Sequence, residues 1–357
     1  MNKNAECYYE SAKKLNLLIE QEPLIDGFKL LLGKRQYFFY GPRTPLNLNT
    51  SSLIAHDKHT ANKVLEKAGF PVPKSIAIHS SEFNQGLLET CIKNLTFPLV
   101  VKPRDGTLGR DVICNIQNLT ALKTHLHNKF ATNDCLIIQE FHGNLKSYRI
   151  LVLYNKIIGV VIREPSFVIG DGSHTLHELI EITNINRNKL RDFLGPICID
   201  EELHIRLQEL QIDLGYIPAV DERVTLGYAS NATRGGVYQT IYKKISKENK
   251  QFFLRAAQAL NLNIVGFDVE CPDIDIPIQA SGGVIIEANP TPSIRIHEKP
   301  MEGTPVMVSK KIILSILYRH PLAYLNTLCK EGHAAISIKS ALLLLFLGLI
   351  YLCVTLF

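Results

Sequence analysis

Apolar residues recur at helical spacing from position 5 to 22, and again through "DKHTANKVLEKAGFPVP", 57–73. The second stretch predicts a helix that starts near Asp57 and ends at Gly69, a residue suited to a C-cap, with Pro71 and Pro73 preventing continuation. The period then changes. "FPLVVKP", 97–103, and "CLIIQEF", 135–141, are short β-branched runs and read as strands. "YRILVLYNKIIGVVIRE", 148–164, is two such runs around Tyr154–Lys156 and predicts a hairpin. Helical spacing returns at 174–193 and 247–261. Two more strands, "NIVGFDVECPDI" and "GGVIIEANP", follow across a short polar link. Strand pairs interleaved with helices predict an α+β class or mixed α/β layers.

The end of the chain has no such alternation. "SALLLLFLGLIYLCVTLF", 340–357, contains no charge and no polar face. As a helix its eighteen residues would reach roughly 27 Å, close to the hydrocarbon thickness of a bilayer. Lys330, His333 and Lys339 precede it, on the side where positive charge favours the cytoplasm. The expectation is a transmembrane anchor over 336–357 holding a cytoplasmic catalytic part; the competing reading is a terminal core helix.

Composition alters this picture little. The 357 residues suffice for two or three packed units, and 46% hydrophobic with 20% charged is an ordinary globular balance. A net charge of +5 suits an anionic ligand such as a nucleotide without marking a nucleic-acid binder. The eight cysteines include no CxxC pair and no Cys/His cluster, which points to free thiols in a reducing compartment. The N-terminus "MNKNAECYYESAKK" is polar and lacks the apolar core of a cleavable signal.

Three segments carry candidate chemistry. In "VVKPRDGTLGRDV", 100–112, a strand ends near Lys102, and the next turn sets Gly106 and Gly109 around Thr107 and Leu108. Glycines let backbone N–H groups approach phosphate oxygens, and a lysine adds a point charge. An ordinary hairpin would look the same, and no GKS or GKT follows to make a Walker motif. "GFDVECPDI" and "IIEANP" offer Asp268, Glu287 and Asn289, three oxygen donors for a hard cation, and magnesium favours a few carboxylates plus substrate phosphates. The competing reading pairs these acids with arginines such as Arg149 or Arg295. Arg149, Arg163 and Arg295 each sit among apolar neighbours, which favours a cleft position over open solvent. "NATRGG", 231–236, including Asn231, is a polar glycine-rich turn that reads by itself as a simple loop.

Taken in order, these segments resemble the ATP-grasp superfamily, in particular the ligase core of cyanophycin synthetases and the ATP-grasp module of bifunctional glutathione-forming enzymes. The match runs from about Thr50 to Pro305. The resemblance implies an ATP-grasp fold in which two α+β subdomains clasp a nucleotide. The implied segments are a short N-terminal region (1–55), a small subdomain with the glycine-rich loop (56–142) and a large subdomain with the metal site (143–325), ahead of the anchor. It implies that Lys58 and Lys102 contact ATP phosphates and that 106–109 is a mobile loop. It further implies that Gln139, Glu140 and Phe141 form the adenine-holding hinge, and that Asn231 belongs to the nucleotide or substrate side. Asp268, Glu287 and Asn289 match magnesium (or manganese) ligands, while Arg149 and Arg295 match positive charge near the transferred phosphate and the acyl intermediate.

Such enzymes join a carboxylate, here an amino acid or short peptide, to an amine through an acyl phosphate, forming ADP and phosphate. A membrane-associated nucleotide-binding scaffold without turnover is the alternative. No nucleic-acid partner is implied, and self-association into a homo-oligomer is compatible with either reading. The chain departs from the pattern at Asp111, where a small glycine is common, and at Thr233–Arg234, where Ser-Thr is usual.

Overall fold

The structure, a computed structural model, describes residues 1–104, 111–143, 145–189, 195–228, 230–241, 245–330, 340, 341 and 343–347. The chain packs as two compact units. The first combines 1–46, 291–298 and 306–357; the second combines 47–290 and 299–305. The units therefore cut across the four consecutive segments expected from the sequence. The N-terminal region is completed by pieces from the far end of the chain.

In the first unit the expected helix over 5–22 ends early, at Lys14. Asn16 adopts a left-handed backbone with φ of 52°, which stops helical propagation. The chain continues as β1 (Leu18–Glu22), β2 (Gly27–Leu32) and β3 (Arg35–Tyr40), an antiparallel sheet in that order. Phe28 and Phe39 stack at 4.7 Å between ring centroids, and Tyr8 packs on Phe39 at 5.1 Å. The helix Val308–Tyr318 returns to the helix Lys3–Lys14, where Ser11 and Ser309 share a 2.6 Å hydrogen bond.

In the second unit the helix Asn49–His56 leads into the helix Lys58–Lys67, which is capped by Asp57 and followed by Gly69 at φ of 82°, as the sequence predicts. It contains β4 (Ser75–His79), β5 (Leu99–Pro103), β6 (Ile113–Ile116) and β7 (Cys135–Glu140). These form an antiparallel sheet ordered β4-β7-β5-β6. β8 (Lys146–Leu153) and β9 (Lys156–Glu164) are the expected hairpin, turning where Tyr154 takes φ of 52°. β10 (Phe167–Ile169) pairs with β11 (Arg223–Thr225) beneath the helices Leu176–Lys189 and Glu201–Leu210. β12 (Val237–Thr240), β13 (Ile264–Cys271) and β14 (Val284–Asn289) complete a five-stranded antiparallel sheet ordered β12-β9-β8-β13-β14. Separate antiparallel sheets with packed helices make this an α+β protein.

The five-stranded sheet has two unlike faces because successive side chains alternate. Tyr148, Ile150 and Val152 on β8, Phe267 and Val269 on β13, and Ile285 on β14 are buried in one core. Leu65 of the helix Lys58–Lys67 joins them, with Phe252, Phe253 and Ala256 of the helix Lys247–Ala259. The residues between them in sequence point the other way.

The expected membrane-spanning segment, 336–357, lies mostly outside the described residues. Among the described residues no helix is long and apolar enough to cross a membrane. Leu343, Leu344, Leu345, Phe346 and Leu347 are exposed.

Candidate functional site

Arg149 on β8, Asp268 on β13 and Glu287 on β14 stand directly opposite one another across three neighbouring strands. Cross-strand partners share a face, so the three side chains leave the sheet together, opposite the apolar core. Asp268 accepts a hydrogen bond from Arg149 Nε through Oδ1, and one of 2.9 Å from Arg163 Nη1 through Oδ2. Arg163, on β9, also donates to Ser147 Oγ at 2.9 Å. Burial works to raise the Asp268 pKa, yet the charges and hydrogen bonds of the two guanidinium groups hold it below the ordinary carboxylate value. Asp268 is thus paired with both arginines in this structure.

Glu287 and Asn289 are half-buried beside this pair. With its nitrogen toward Glu287 Oε1 at 3.0 Å and its oxygen toward Arg149 Nη2 at 3.3 Å, the Asn289 amide is satisfied at both ends. Lys58 Nζ lies 3.9 Å from Glu287 Oε1. Lys102, on β5, is buried; burial pushes its ammonium pKa down, with the Glu287 carboxylate opposing and Lys58 adding to the fall. The two lysines are positioned by a shared contact. Asp57 caps the helix that starts at Lys58, accepting from the His59 and Thr60 N–H groups at 3.1 Å, and pairs at 2.5 Å with Arg104, two residues beyond Lys102. Asp57 is held well below the usual carboxylate range: burial opposes the shift, but Arg104 and the Thr60 hydrogen bonds outweigh it.

Other expected site residues are placed differently. Gly106, Thr107 and Gly109 lie outside the described residues. Gln139 is buried, and its Oε1 has no partner among the described residues. Glu140 Oε1 accepts from the Thr96 N–H at 3.0 Å, and the N–H groups of Glu140 and Phe141 donate to Lys74 O and Pro98 O. Those two backbone donors are thus already engaged within the protein. Asn231 sits in a loop where its carbonyl accepts from the N–H groups of Arg234 and Gly236. Arg234 in turn pairs with Asp200 at 2.5 Å and Glu202 at 2.8 Å, so the unusual arginine of "NATRGG" ties the loop to the helix Glu201–Leu210. Arg295 belongs to the first unit, at the start of the short helix Arg295–Glu298.

A cleft of about 510 Å³ opens on the same charged face, lined among others by Phe141, His142, Ser147, Arg163, Tyr228 and Glu270. Phe141 meets Tyr228 edge-on at 5.3 Å. Burial pushes the Glu270 carboxyl up to about 7, with Asp268 adding to the rise and Arg163 opposing it. Sequence reasoning passed over Glu270. The period-2 alternation from Asp268 was the available signal, since 268 and 270 must share a face.

Among the described residues there is no group of three or more His, Cys, Asp and Glu side chains that could hold a metal ion. The oxygens of Glu287 and Asn289 stand together on this face, engaged by Arg149 and Lys58. They match magnesium's preference for few protein oxygens alongside phosphate oxygens.

Residues 55–167 match the RimK-like ATP-grasp domain family. The chain is 32% identical over 256 residues to a cyanophycin synthetase of Crocosphaera subtropica, covering 70% of this chain and 29% of that protein. It is 26% identical over 297 residues to the glutathione biosynthesis bifunctional protein GshAB of Desulfotalea psychrophila, covering 79% of this chain and 36% of that protein. It thus spans only about a third of the length of these curated relatives. Among solved structures, the bifunctional glutathione synthetase from Pasteurella multocida aligns with a TM-score of 0.60 at 23% identity, over 89% of this chain and 44% of that one. At that identity the likeness is one of fold.

Proposed function

Because residues 55–167 match the RimK-like ATP-grasp domain family, we propose that the chain is an ATP-dependent carboxylate–amine ligase that joins an amino acid or short peptide to an amine. The observation that carries this reading is the charged sheet face. It links Lys58 to Glu287, Glu287 to Asn289, and Asn289 to Arg149.

A carboxylate oxygen of the first substrate attacks the γ-phosphorus, the bond to the bridging oxygen breaks, and ADP leaves. The amine nitrogen then attacks the acyl carbon, inorganic phosphate departs, and the amine loses a proton. Both steps move negative charge across phosphoryl oxygens, which needs fixed cations and a nearly in-line path. Lys58 and Lys102 supply charge to the phosphate chain, and Arg149 stabilises the transferred group. Lys102 is buried, so water screens its interaction with a phosphate oxygen little. Glu287 and Asn289 would hold a magnesium or manganese ion together with the phosphates, where the cation neutralises charge on the leaving and transferred groups. Asp268 would be the third oxygen ligand of that ion and also fixes Arg149 and Arg163.

The test is direct. Purified protein is offered ATP, magnesium and pooled amino acids and peptides, and products are read by mass. The reading expects an amide product with matching ADP and phosphate from at least one pair of pools. Nucleotide binding with no stimulated phosphate release from any pool would favour a binding-only scaffold. We also propose that the apolar segment 340–357 is a membrane anchor, supported by its uncharged sequence and the exposed run 343–347. Protein ending at residue 335 should leave the membrane pellet; continued pelleting would remove that assignment.

A further inference from the structure

At one end of the first unit, the turn between β2 and β3 meets the helix Pro321–Lys330. A side chain on Gly33 would begin 3.6 Å from Ala323 Cβ, and Tyr37 Oη shares a 2.5 Å hydrogen bond with His320 Nε2. The helix is thus fixed against the hairpin, yet its other side is open to solvent. Leu322 and Leu325, three residues apart and so on one helix face, are 81% and 38% exposed, and Tyr318 just before them is 71% exposed. Lys34 and Arg35 stand on the hairpin turn, both exposed and neither paired with a carboxylate among the described residues. Apolar side chains flanked by unpaired cations and a tyrosine suit the headgroup region of an anionic bilayer. The outer face of the same sheet also exposes Phe38 and Tyr40, but it suits such a surface poorly. Glu20 and Glu22 share that face against the single Lys29, so its charge is repelled by anionic lipid.

We propose that this end of the first unit, through Leu322, Leu325, Lys34 and Arg35, docks on an anionic lipid surface. The proposal rests on the reading of 340–357 as a membrane anchor. Only residues 331–339 separate the helix Pro321–Lys330 from that segment, a link that reaches at most about 35 Å when fully extended. Anchoring therefore keeps Lys330 within that distance of the bilayer. A contact too weak to recruit free protein becomes populated under such a tether, because the second binding event is intramolecular. The two leucines enter the headgroup boundary, while the cations stay at the charged surface. Protein ending at residue 335 still leaves the membrane, since the face by itself binds weakly.

The chain contains no tryptophan, so one placed at an exposed position reports its own surroundings alone. Full-length Leu322→Trp and Leu24→Trp are each reconstituted into vesicles of phosphatidylcholine and phosphatidylserine, with and without bromine on the acyl chains. Leu24 is 97% exposed and lies in the β1–β2 turn, at the opposite end of the sheet. The six residues of β2 separate the two turns by about 20 Å. Emission from Leu322→Trp should shift to the blue and be largely lost in brominated vesicles, while Leu24→Trp stays red and unquenched. Adding Lys34→Gln and Arg35→Gln to the first variant should lower the ratio of docked to undocked protein about thirtyfold, roughly fivefold per charge. Vesicles of phosphatidylcholine alone should show no effect of those two changes. Protein that floats with the vesicles but leaves both tryptophans red and unquenched would overturn the proposal and keep the anchor. A blue shift without bromine quenching would also overturn it, because protein such as a second copy would then cover the face. Equal quenching at both positions would contradict docking by this end. Protein that fails to float would overturn the anchor and the docking together.

Discussion

The two faces of the five-stranded sheet are built from the same strands and have opposite characters. On β13, Phe267 and Val269 enter a closed apolar core, while Asp268 and Glu270 lie on the opposite, charged face. Single-residue alternation thus separates the residues that hold the fold from those proposed to do chemistry. The charged face is affordable because its arginines are paired: side chains of Arg149, Arg163 and Asp268 are only 11%, 10% and 11% exposed, yet each has an opposite charge in contact. One face fails by losing packing, the other by losing charge placement.

Substitutions on the two faces should therefore separate stability from turnover. The largest effect is expected for Glu287→Gln. Turnover should fall at least about a thousandfold, ~4 kcal/mol of transition-state stabilisation, with an unchanged melting curve. Full activity in this variant would remove Glu287 from the reaction. Phe267→Ala should show the reverse, a loss of about 3–5 kcal/mol in denaturant unfolding, with residual activity in whatever fraction remains folded. Asp268→Asn belongs to both faces, because it leaves Arg149 and Arg163 buried with a neutral partner. A stability loss of about 3 kcal/mol together with lost turnover is expected, and a variant that lost turnover alone would show that the arginines need no partner to fold.

The smallest effect concerns the pair that positions the two lysines. Asp57→Asn keeps the helix cap but removes the charge facing Arg104. A fall in Tm of about 2 °C at pH 7 is expected. The Asp57 carboxyl is held below its ordinary value in the folded protein, so its contribution is complete above the unfolded value of about 3.9 and disappears as pH falls through the lower folded value. The Tm difference between wild type and Asp57→Asn should hold from pH 7 to about pH 4 and close below it. A gap that widened in acid would contradict the ion-pair account.

Much of the second unit was legible in the sequence because its signals are local. The Asp57 cap, Gly69, the hairpin at Tyr154 and the β-branched runs at 99–103 and 135–140 each depend on neighbouring residues alone. The rest depends on register between distant segments. Nothing near Asp268 in sequence announces that β8, over a hundred residues earlier, sets Arg149 opposite it, or that Arg163 reaches its second oxygen. The N-terminal sheet was missed for a related reason. Apolar positions at 5–22 fit a helix as a period, and only Asn16 marks the break where the chain turns into β1. Residues 291–298 and 306–318 read as the tail of the metal-site strand and its sequel, yet they pack with the N-terminal region.

The central claim is that the charged face transfers a phosphoryl group to a carboxylate. Pooled amino acids and peptides labelled with ¹⁸O in their carboxylates, incubated with the protein, ATP and magnesium, test it most directly. The account predicts that the inorganic phosphate released carries one ¹⁸O atom taken from the substrate, in amount equal to the amide formed. Phosphate released without label, while amide accumulates, would contradict an acyl-phosphate route on this face.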